Sequence, residues 1–367
     1  FLRGIATELQ GRGHDVRIYE PENGWSLSNL VREYGERPVF EFHRVFPGLR
    51  SSFYDLETFD IDRALDGADL VIVHEWNDLE LVRRIGEHRK RYVRYRLLFH
   101  DTHHRSVTAP EEMAAYDLSG YDGVLAFGAV IRDIYLSRGW TGRAWIWHEA
   151  ADTRIFRPPD EITGKEDMVW IGNWGDGERT SEYYEYLIGP IVALGLRASA
   201  YGVRSPQTAI DLLASADIRY NGWVPNYQVP RVFSQFRVTL HIPRRPYVHA
   251  LPGIPTIRPF EALACGIPLI CSPWNDSEHL FTPGEDFLVA RNGEEMKRHI
   301  RLVLEEPGTA NALTTRGRRT VLSRHTCFHR VNELLSICGE LGIPVPKTEP
   351  RLIELPCGHP DEAVSAY

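Results

Sequence analysis

The chain has 367 residues, of which 43% are hydrophobic and 25% are charged. This balance is typical of a soluble globular protein and excludes the disordered and fibrous classes. Because domains usually contain about 100–200 residues, two domains are expected. The chain carries 42 Lys and Arg against 50 Asp and Glu, which gives a net charge of −8. It therefore has no overall positive field that would attract nucleic acid or an anionic lipid surface.

No apolar run approaches the ~18–20 residues of a membrane span. The first residues lead directly into an amphipathic helical pattern, so no signal peptide is predicted either. Five cysteines fit neither a paired disulfide framework nor a CxxC metal site, namely Cys265, Cys271, Cys327, Cys338 and Cys357. These features predict a reduced, cytoplasmic protein.

Short apolar runs alternate with amphipathic segments along the whole chain. In the first half they predict a helix over residues 2–9 and strands at 16–19, 68–73, 92–99, 123–127 and 144–147, with further helices at 78–90 and 129–138. A linker is predicted over 152–164, around two adjacent prolines. In the second half the pattern predicts strands at 167–171, 197–201, 218–220, 238–242, 267–271 and 287–289, and helices at 180–194, 259–265, 294–305 and 324–340. This alternation indicates an α/β fold with parallel sheets covered by helices on both faces.

The most informative stretch is residues 251–270. Gly253 and Pro255 predict a tight loop, and Pro259 suits the first turn of a helix that begins there. Such a helix start offers unpaired N–H groups and a positive dipole end to an anion, and Arg258 adds charge. Glu261 could accept hydrogen bonds from a vicinal diol such as a ribose. The alternative is a buried helix in which Glu261 forms a structural salt bridge.

Several segments together resemble the GT-B glycosyltransferases of the family 4 type, and they are nearest to the spore-maturation-like branch. The segments are Phe260-Glu-Ala-Leu-Ala-Cys-Gly-Ile-Pro-Leu-Ile270, Asp152-Thr-Arg-Ile-Phe-Arg-Pro158, Gly222-Trp-Val-Pro225, Phe281-Thr-Pro-Gly-Glu-Asp-Phe-Leu-Val289 and Gly13-His-Asp-Val16. The resemblance implies two Rossmann-like domains that face a central cleft, with a C-terminal helix crossing back to the first domain. It also implies that about 15–25 residues, a strand and a Gly-rich turn, precede Phe1.

Two positions depart from the family pattern. Gly253 stands where the family has a glutamate that meets the sugar, and Glu149-Ala150 stands where the family has Asn-Gly. The resemblance therefore leaves the stereochemistry open between retaining and inverting transfer, and we expect retaining, metal-independent transfer. The resemblance implies that Glu261 binds the donor ribose. Thr256, Ile257 and Arg258 belong to the same predicted nucleotide site.

A cluster of histidines ends a predicted strand of the first half, in Phe99-His-Asp-Thr-His-His104. Thr102-His103 matches a family pair that faces the sugar. His103 could hydrogen-bond donor hydroxyls or act as a general base, with Asp101 or His100 to orient it. The alternatives are a metal site and a structural hydrogen-bonded cluster.

Another strand of the first half ends at His74-Glu75-Trp76-Asn77-Asp78. Glu75 is a candidate general base, and Trp76 offers a flat face to a sugar or base. Helix capping by Asn77 or Asp78 explains this segment equally well.

The first predicted strand of the second half is followed by a Gly-rich loop, residues 172–179. Its backbone N–H groups could face a phosphate, so Gly172, Asn173 and Trp174 are predicted donor-binding residues. Arg179, Arg244 and Arg245 are predicted to neutralise the diphosphate, with a solvated basic turn as the alternative for the last two.

These inferences define the predicted organisation. Residues 1–157 form the acceptor domain, 158–323 the donor domain, 324–342 a closing helix and 343–367 a tail. The predicted function is transfer of a sugar from a nucleotide-diphosphate sugar to an acceptor hydroxyl, with no further cofactor and no bound metal. The expected acceptor is a glycan, a lipid or a small molecule; peripheral membrane association and oligomeric state stay open. The alternatives are a nucleotide-sugar epimerase on the same fold and a non-catalytic sugar-nucleotide-binding protein.

Overall fold

The computed structural model describes residues 1–92, 94–158, 166–174, 177 and 179–344. The chain forms two compact units, one of Phe1 with Ile61–Val345 and one of Leu2–Asp60 with Pro346–Tyr367. Residues 159–165 of the predicted linker and residues 345–367 of the predicted tail lie outside the described range. No described helix is both long and apolar enough to cross a membrane.

The described part of the smaller unit contains three helices and two strands. They are α1 (Leu2–Gly11), β1 (Ile18–Pro21), α2 (Trp25–Tyr34), α3 (Arg37–Val45) and β2 (Ser51–Tyr54). The two strands pair in parallel, with Ile18 opposite Ser51. β1 begins two residues later than the strand predicted at 16–19, because its pairing with β2 begins only at Ile18.

The first sheet of the larger unit has four parallel strands in the order β3-β4-β5-β6. They are β3 (Leu70–His74), β4 (Arg96–Asp101), β5 (Gly123–Ala126) and β6 (Ala144–Ile146). The helices are α4 (Ile61–Leu65), α5 (Leu79–Arg91), α6 (Arg105–Thr108), α7 (Pro110–Ala114) and α8 (Ala129–Ser137). The central apolar run of β4 is fully buried, as expected for a strand covered on both faces. Asp78 caps α5 by accepting the Glu80 N–H at 2.8 Å, so the capping interpretation of this residue is confirmed.

The second sheet has six parallel strands in the order β12-β11-β10-β7-β8-β9. They are β7 (Glu166–Ile171), β8 (Ala198–Tyr201), β9 (Ile218–Tyr220), β10 (Phe236–His241), β11 (Leu269–Cys271) and β12 (Leu288–Val289). The helices are α9 (Thr180–Tyr183), α10 (Gly189–Leu194), α11 (Gln207–Ser215), α12 (Val229–Ser234), α13 (Arg245–His249), α14 (Ile257–Cys265), α15 (Gly293–Glu305), α16 (Pro307–Arg324) and α17 (Cys327–Glu340), with a 3-10 turn at Asn226–Gln228. The chain moves outward from β7 in one direction and from β10 in the other. A crevice therefore forms at the carboxyl ends of β7 and β10, where open parallel sheets bind ligands.

The predicted helix over 180–194 is one helical run, but Tyr184–Ile188 within it is a π-helical turn. The amide of Gly189 bonds the carbonyl of Tyr184, five residues earlier. Pro190 is the physical reason, because it has no N–H and its ring clashes with the carbonyl four residues before it. The helix widens there instead of ending.

The helix α17 packs against the first sheet, as the predicted C-terminal crossing requires. Trp147 Nε1 donates to the carbonyl of Arg330 at 2.9 Å, and Trp145 Nε1 donates to Glu340 Oε2 at 2.9 Å. Arg96 Nε donates to the carbonyl of Leu341 at 2.7 Å. This helix is therefore held against β4 and β6 of the first sheet.

The loop after β7 lies unusually close to the backbone at the end of β8. A Cβ placed on Gly202 would lie 2.0 Å from the carbonyl oxygen of Gly172. The Gly202 amide donates to the carbonyl of Gly222 at 2.8 Å, so the backbone cannot move away without losing a bond. Only glycine fits at residue 202, and this approach fixes the start of the 172–179 loop.

We predict that Gly202→Ala lowers the free energy of unfolding by about 2–3 kcal/mol, because the added methyl overlaps a backbone oxygen. Denaturant unfolding measures this effect. The matched control is Gly142→Ala, since a Cβ at Gly142 would meet no atom within 4 Å. Equal stability of the two variants would contradict the close approach.

Candidate functional site

The start of α14 lies beside the crevice and has an unusual backbone. Thr256 precedes the helix with φ +62°, a left-handed conformation that a β-branched residue rarely adopts. Its side chain makes no capping bond. Among the described residues, no acceptor faces the amides of Ile257 and Arg258. The helix therefore presents free N–H groups and a positive dipole end, as the sequence predicted.

Glu261 lies one turn into α14 and is 1% exposed. Its Oε2 accepts from Arg258 Nη1 at 2.7 Å, and its Oε1 accepts from Asn226 Nδ2 at 2.9 Å. The structural salt bridge, which is the alternative to ribose binding, is thus present. Each carboxylate oxygen can accept a further bond, so both interpretations are compatible with this geometry.

The loop after β7 is held by Arg179. This side chain donates to the carbonyl oxygens of Asn173 and Ile242, the second at 2.5 Å, and its guanidinium lies over the ring of Tyr183. Arg179 thereby ties the loops that follow β7 and β10 together at the crevice. The carbonyl of Asn173 also accepts from the Tyr183 hydroxyl at 2.9 Å.

Trp174 does not face the crevice with its side chain. The indole is 4% exposed and packs on Tyr183, with 4.4 Å between the ring centroids. Trp174 can therefore meet a ligand only with its backbone, whereas Asn173 is partly exposed. Residues 175, 176 and 178 of the predicted loop lie outside the described range.

The adjacent arginines 244 and 245 point to different places. Arg245 forms a bidentate pair with Glu182, at 2.7 and 2.9 Å, and donates to Ser181 Oγ at 2.7 Å. Arg244 lies close enough to His103 to lower the pKa of that imidazole. Arg244 is therefore within electrostatic range of the first sheet, whereas the charge of Arg245 is neutralised by Glu182.

Glu75 and Asp101 form a buried carboxyl pair at the ends of β3 and β4. Both are fully buried and share a hydrogen bond. The Tyr135 hydroxyl donates to Asp101 Oδ2 at 2.9 Å, and Arg105 Nη2 donates to Glu75 Oε2 at 3.0 Å. Burial raises the pKa of Asp101 well above its usual range, and the Glu75 charge raises it further. Asp101 therefore holds a proton that it shares with Glu75.

His103 has a half-buried ring between Trp76 and His104. The ring centroids are 5.0 Å from Trp76 and 4.0 Å from His104. Its backbone amide donates to Asp101 Oδ1 at 2.9 Å, so Asp101 orients the His103 backbone and not its ring. Burial and, to a smaller extent, the charges of His104, Arg105 and Arg244 together lower the pKa of His103 to about 3. The imidazole is neutral at pH 7.

The histidine cluster does not converge on one point. His100 is fully buried between aromatic rings, with Trp147 at 5.0 Å, and neither ring nitrogen has a hydrogen-bond partner. His104 Nδ1 is bonded to Thr108 Oγ1 at 2.9 Å. Across the part of the chain that the structure describes, no three His, Cys, Asp or Glu side chains are grouped to hold a metal ion.

Glu149 enters the same region from the end of β6. Burial raises the pKa of this carboxyl to about 7, and the charges of Glu261 and Glu75 raise it, while the amino group of Phe1 and Arg258 lower it. Glu149 is therefore within electrostatic range of groups from both sheets. In the sequence, residue 149 was marked only as a departure from the Asn of the family pattern.

Sequence reasoning missed three residues of this region. Asn226 binds Glu261, and it directly follows the Gly222–Pro225 motif that was noted. Arg105 bonds Glu75 and lies 4.3 Å from the ring centroid of Trp76. Its position directly after His103-His104 was the only signal for it. The signal for Glu149 was an acid at a position where the family has a neutral Asn, but no role was assigned to it.

We predict that Glu149→Gln makes the stability of the protein less dependent on pH. The folded chain keeps a proton on Glu149 that the unfolded chain releases, so the wild type loses stability as pH rises from about 4.5 to 7. The variant should be more stable than the wild type by about 2 kcal/mol at pH 8 and by little at pH 4.5. Chemical unfolding across pH measures this difference. Glu285→Gln, an exposed control, should follow the wild type, and parallel curves for Glu149→Gln would contradict the raised pKa.

Residues 179–336 match a family model described as glycosyl transferase-like. No curated protein is similar enough in sequence to match. Among solved structures, a glycosyltransferase from Rickettsia africae ESF-5 has a TM-score of 0.65 at 10% identity and covers 93% of this chain and 94% of its own. HepE from Anabaena, in complex with UDP and glucose, has a TM-score of 0.62 at 11% identity, over 92% and 95%. Sucrose-phosphate synthase from Thermosynechococcus elongatus has 0.56 at 15% identity, over 74% and 73%.

The structural likenesses extend over both sheets, so they show the fold, with its two Rossmann-like domains. The family match covers the segment that contains the crevice loop after β10 and α14. Together with the parallel sheets, the structural likenesses show that the chain has the GT-B fold, and its residues 179–336 are similar to a family described as glycosyl transferase-like.

Proposed function

We propose that this enzyme transfers a sugar from a nucleotide-diphosphate sugar to an acceptor hydroxyl, with retention of configuration and without a metal ion or other cofactor. Residues 158–323 bind the donor and 1–157 the acceptor. The motifs at Phe260–Ile270 and Glu285–Val289 support its assignment to the family 4-like, spore-maturation-like branch. The observation that carries the proposal is the start of α14, where uncapped amides lie beside Arg258 and its buried partner Glu261 and offer a place for an anion.

The donor half suits a diphosphate leaving group. Negative charge grows on the diphosphate as the glycosidic bond breaks, and positive groups already in place stabilise that charge without reorganisation. The free amides of α14, Arg258 and Arg244 supply such groups, and Arg179 fixes the loops around them. Glu261 is assigned to the ribose hydroxyls. The Anabaena neighbour was solved with UDP-glucose and with UDP, so uridine nucleotides are the first to test.

The acceptor half favours hydrogen bonding over general-base catalysis. Asp101 and Glu75 are fully buried and share a proton, so in this structure they orient Thr102, His103 and Arg105 instead of meeting an acceptor. His103 is neutral and too weak a base to take a proton at pH 7, but it can bond a sugar hydroxyl. In retaining transfer the donor phosphate takes the acceptor proton, and no protein base is needed.

The decisive experiment is a screen of UDP-, GDP-, ADP- and dTDP-sugars. A bound donor should raise the melting temperature by mass action. Turnover should require an acceptor or water, survive EDTA, and give a product with the donor's anomeric configuration by NMR. Conversion of the donor sugar without any acceptor would identify an epimerase. Binding without turnover would identify a non-catalytic protein, and loss of activity in EDTA would overturn the metal-free mechanism.

We predict that Glu261→Gln weakens binding of the donor nucleotide about 10–100-fold, the cost of one or two hydrogen bonds to a charged group. Calorimetry with UDP and with its 2′- and 3′-deoxy analogues measures this loss. If Glu261 binds a ribose hydroxyl, removal of that hydroxyl from the ligand should weaken binding to the wild type. The same removal should weaken binding to Glu261→Gln very little further. Glu294→Gln, on the exposed face of α15, is the control. An unchanged UDP affinity would remove Glu261 from this role.

We predict that His103→Ala lowers kcat/KM about 10–100-fold through loss of a hydrogen bond to the reacting sugar, while the melting temperature stays close to that of the wild type. His103→Gln should restore part of the activity. The pH profile of the wild type should show no step from His103 between pH 5 and 9, because its pKa is about 3. His249→Ala is an exposed control. Full activity of His103→Ala would contradict the assignment.

A further inference from the structure

Glu278 lies in the loop between β11 and β12, yet its carboxylate bonds two groups that belong to the first sheet. Its Oε1 accepts the Ala129 N–H at 2.8 Å, and its Oε2 lies 2.9 Å from His148 Nε2. The side chain is 12% exposed. Ala129 is the first residue of α8, and His148 follows β6 by two residues. One carboxylate therefore connects the second sheet to two elements of the first.

The helix α8 has no cap of its own. Its N-cap residue is Gly128, which has no side chain, and no side-chain capping bond is formed. Glu278 supplies the missing acceptor from another part of the chain. An anionic acceptor at a helix start is stabilised both by the N–H and by the positive end of the helix dipole.

The same carboxylate covers the loop that leads into α14. A Cβ built on Gly253 would lie 2.6 Å from Glu278 Oε1 and 2.7 Å from its Cγ. Gly253 has φ +87°, and its amide donates to the carbonyl of Asn275 at 2.7 Å. The next residue, Ile254, packs closely against Gly128. A Cβ built on Gly128 would lie 2.5 Å from Ile254 Cγ1. The loop 251–256 is thus enclosed between Glu278 and the start of α8.

We propose that Glu278 is a positioning residue of the donor site, which holds the loop 251–256, and with it the open start of α14, at a fixed place against the first sheet. The role of the α14 start in donor binding rests on the proposed function, whereas the contacts of Glu278 rest on geometry alone. Gly253 departs from the pattern of similar enzymes, which have a glutamate there. In this chain, the space beside Gly253 is filled by the carboxylate of Glu278, which lies 25 positions further along the sequence.

Two glycines make this arrangement possible. Any side chain at residue 253 would displace the carboxylate, and any side chain at residue 128 would displace Ile254. The acid also needs both of its partners, since a buried carboxylate without hydrogen bonds is costly. Glu278, Ala129 and His148 therefore act as one unit across the sheets.

The test compares Glu278→Ala with Glu278→Gln and with the control Glu285→Ala, an exposed glutamate that precedes β12. Two readouts are used, namely amide hydrogen exchange of the peptide that contains Ala129, and kinetics with the sugar nucleotide found by the donor screen, beginning with UDP-glucose. We expect Glu278→Ala to exchange the Ala129 amide at least about tenfold faster and to raise the donor KM about tenfold, with a smaller change in kcat. Glu278→Gln keeps an oxygen for Ala129 and should retain most of both properties. The control should match the wild type.

A second pair of variants guards against a folding defect in Glu278→Ala. His148→Ala leaves the Glu278 carboxylate and its bond to Ala129 in place, and it should raise the donor KM by itself. With Glu278→Ala and the double variant it forms a cycle, in which the effects on the donor KM should be non-additive if the two residues act together. Additive effects on the donor KM would mean that Glu278 and His148 act independently, and would overturn the proposal that they act as one unit. Faster exchange with an unchanged donor KM would overturn the positioning role and leave only a helix cap. If the wild type transfers no sugar, the proposed function fails, while the exchange of Ala129 still decides whether Glu278 holds α8.

Discussion

All strands of the two larger sheets run parallel to their neighbours, and this constraint determines where the chemistry of the protein can be. Parallel strands need crossover helices, so the carboxyl ends of all strands in a sheet meet at one edge. Glu75, Asp101 and Glu149 lie at that edge of the first sheet, and Arg244 lies at that edge of the second. Polar residues that are far apart in sequence come within electrostatic range of one another for this reason alone.

The charges at these edges are arranged by burial. Glu75 and Asp101 are fully buried at the end of the first sheet, and they are neutralised by sharing a proton or by bonding Arg105. At the second sheet, Arg258 is paired with Glu261 beside the open amides of α14. In the proposed reaction, the growing negative charge of the leaving group would be stabilised there, and neutral hydrogen-bonding groups such as His103 would contribute from the first sheet. This division suits transfer of a neutral sugar from an anionic carrier.

The fold could be predicted in large part from the sequence, because short apolar runs between amphipathic helices leave few alternatives. The strands at 123–127 and 144–147 and the helix at 129–138 lie within a residue or two of their observed bounds. Pro190 shows the limit of this approach, since it usually ends a helix but here only widens one into a π-turn. The helix at Pro307–Arg324 was not predicted, because its apolar residues do not form a marked stripe. Of the candidate site, the Arg258–Glu261 segment was found because both residues lie in one local motif.

By itself, the sequence determined the alternation of strands and helices, the open start of α14 and the acids and histidines at the strand ends, because these depend on neighbours within a few residues. Only the tertiary structure decided which of those residues act together. It separated Arg244 from Arg245, buried the indole of Trp174, and paired Glu75 with Asp101. It also brought Glu278 over Gly253 and onto the start of α8. Such contacts depend on how distant segments pack, and the spacing of residues along the chain does not encode that packing locally.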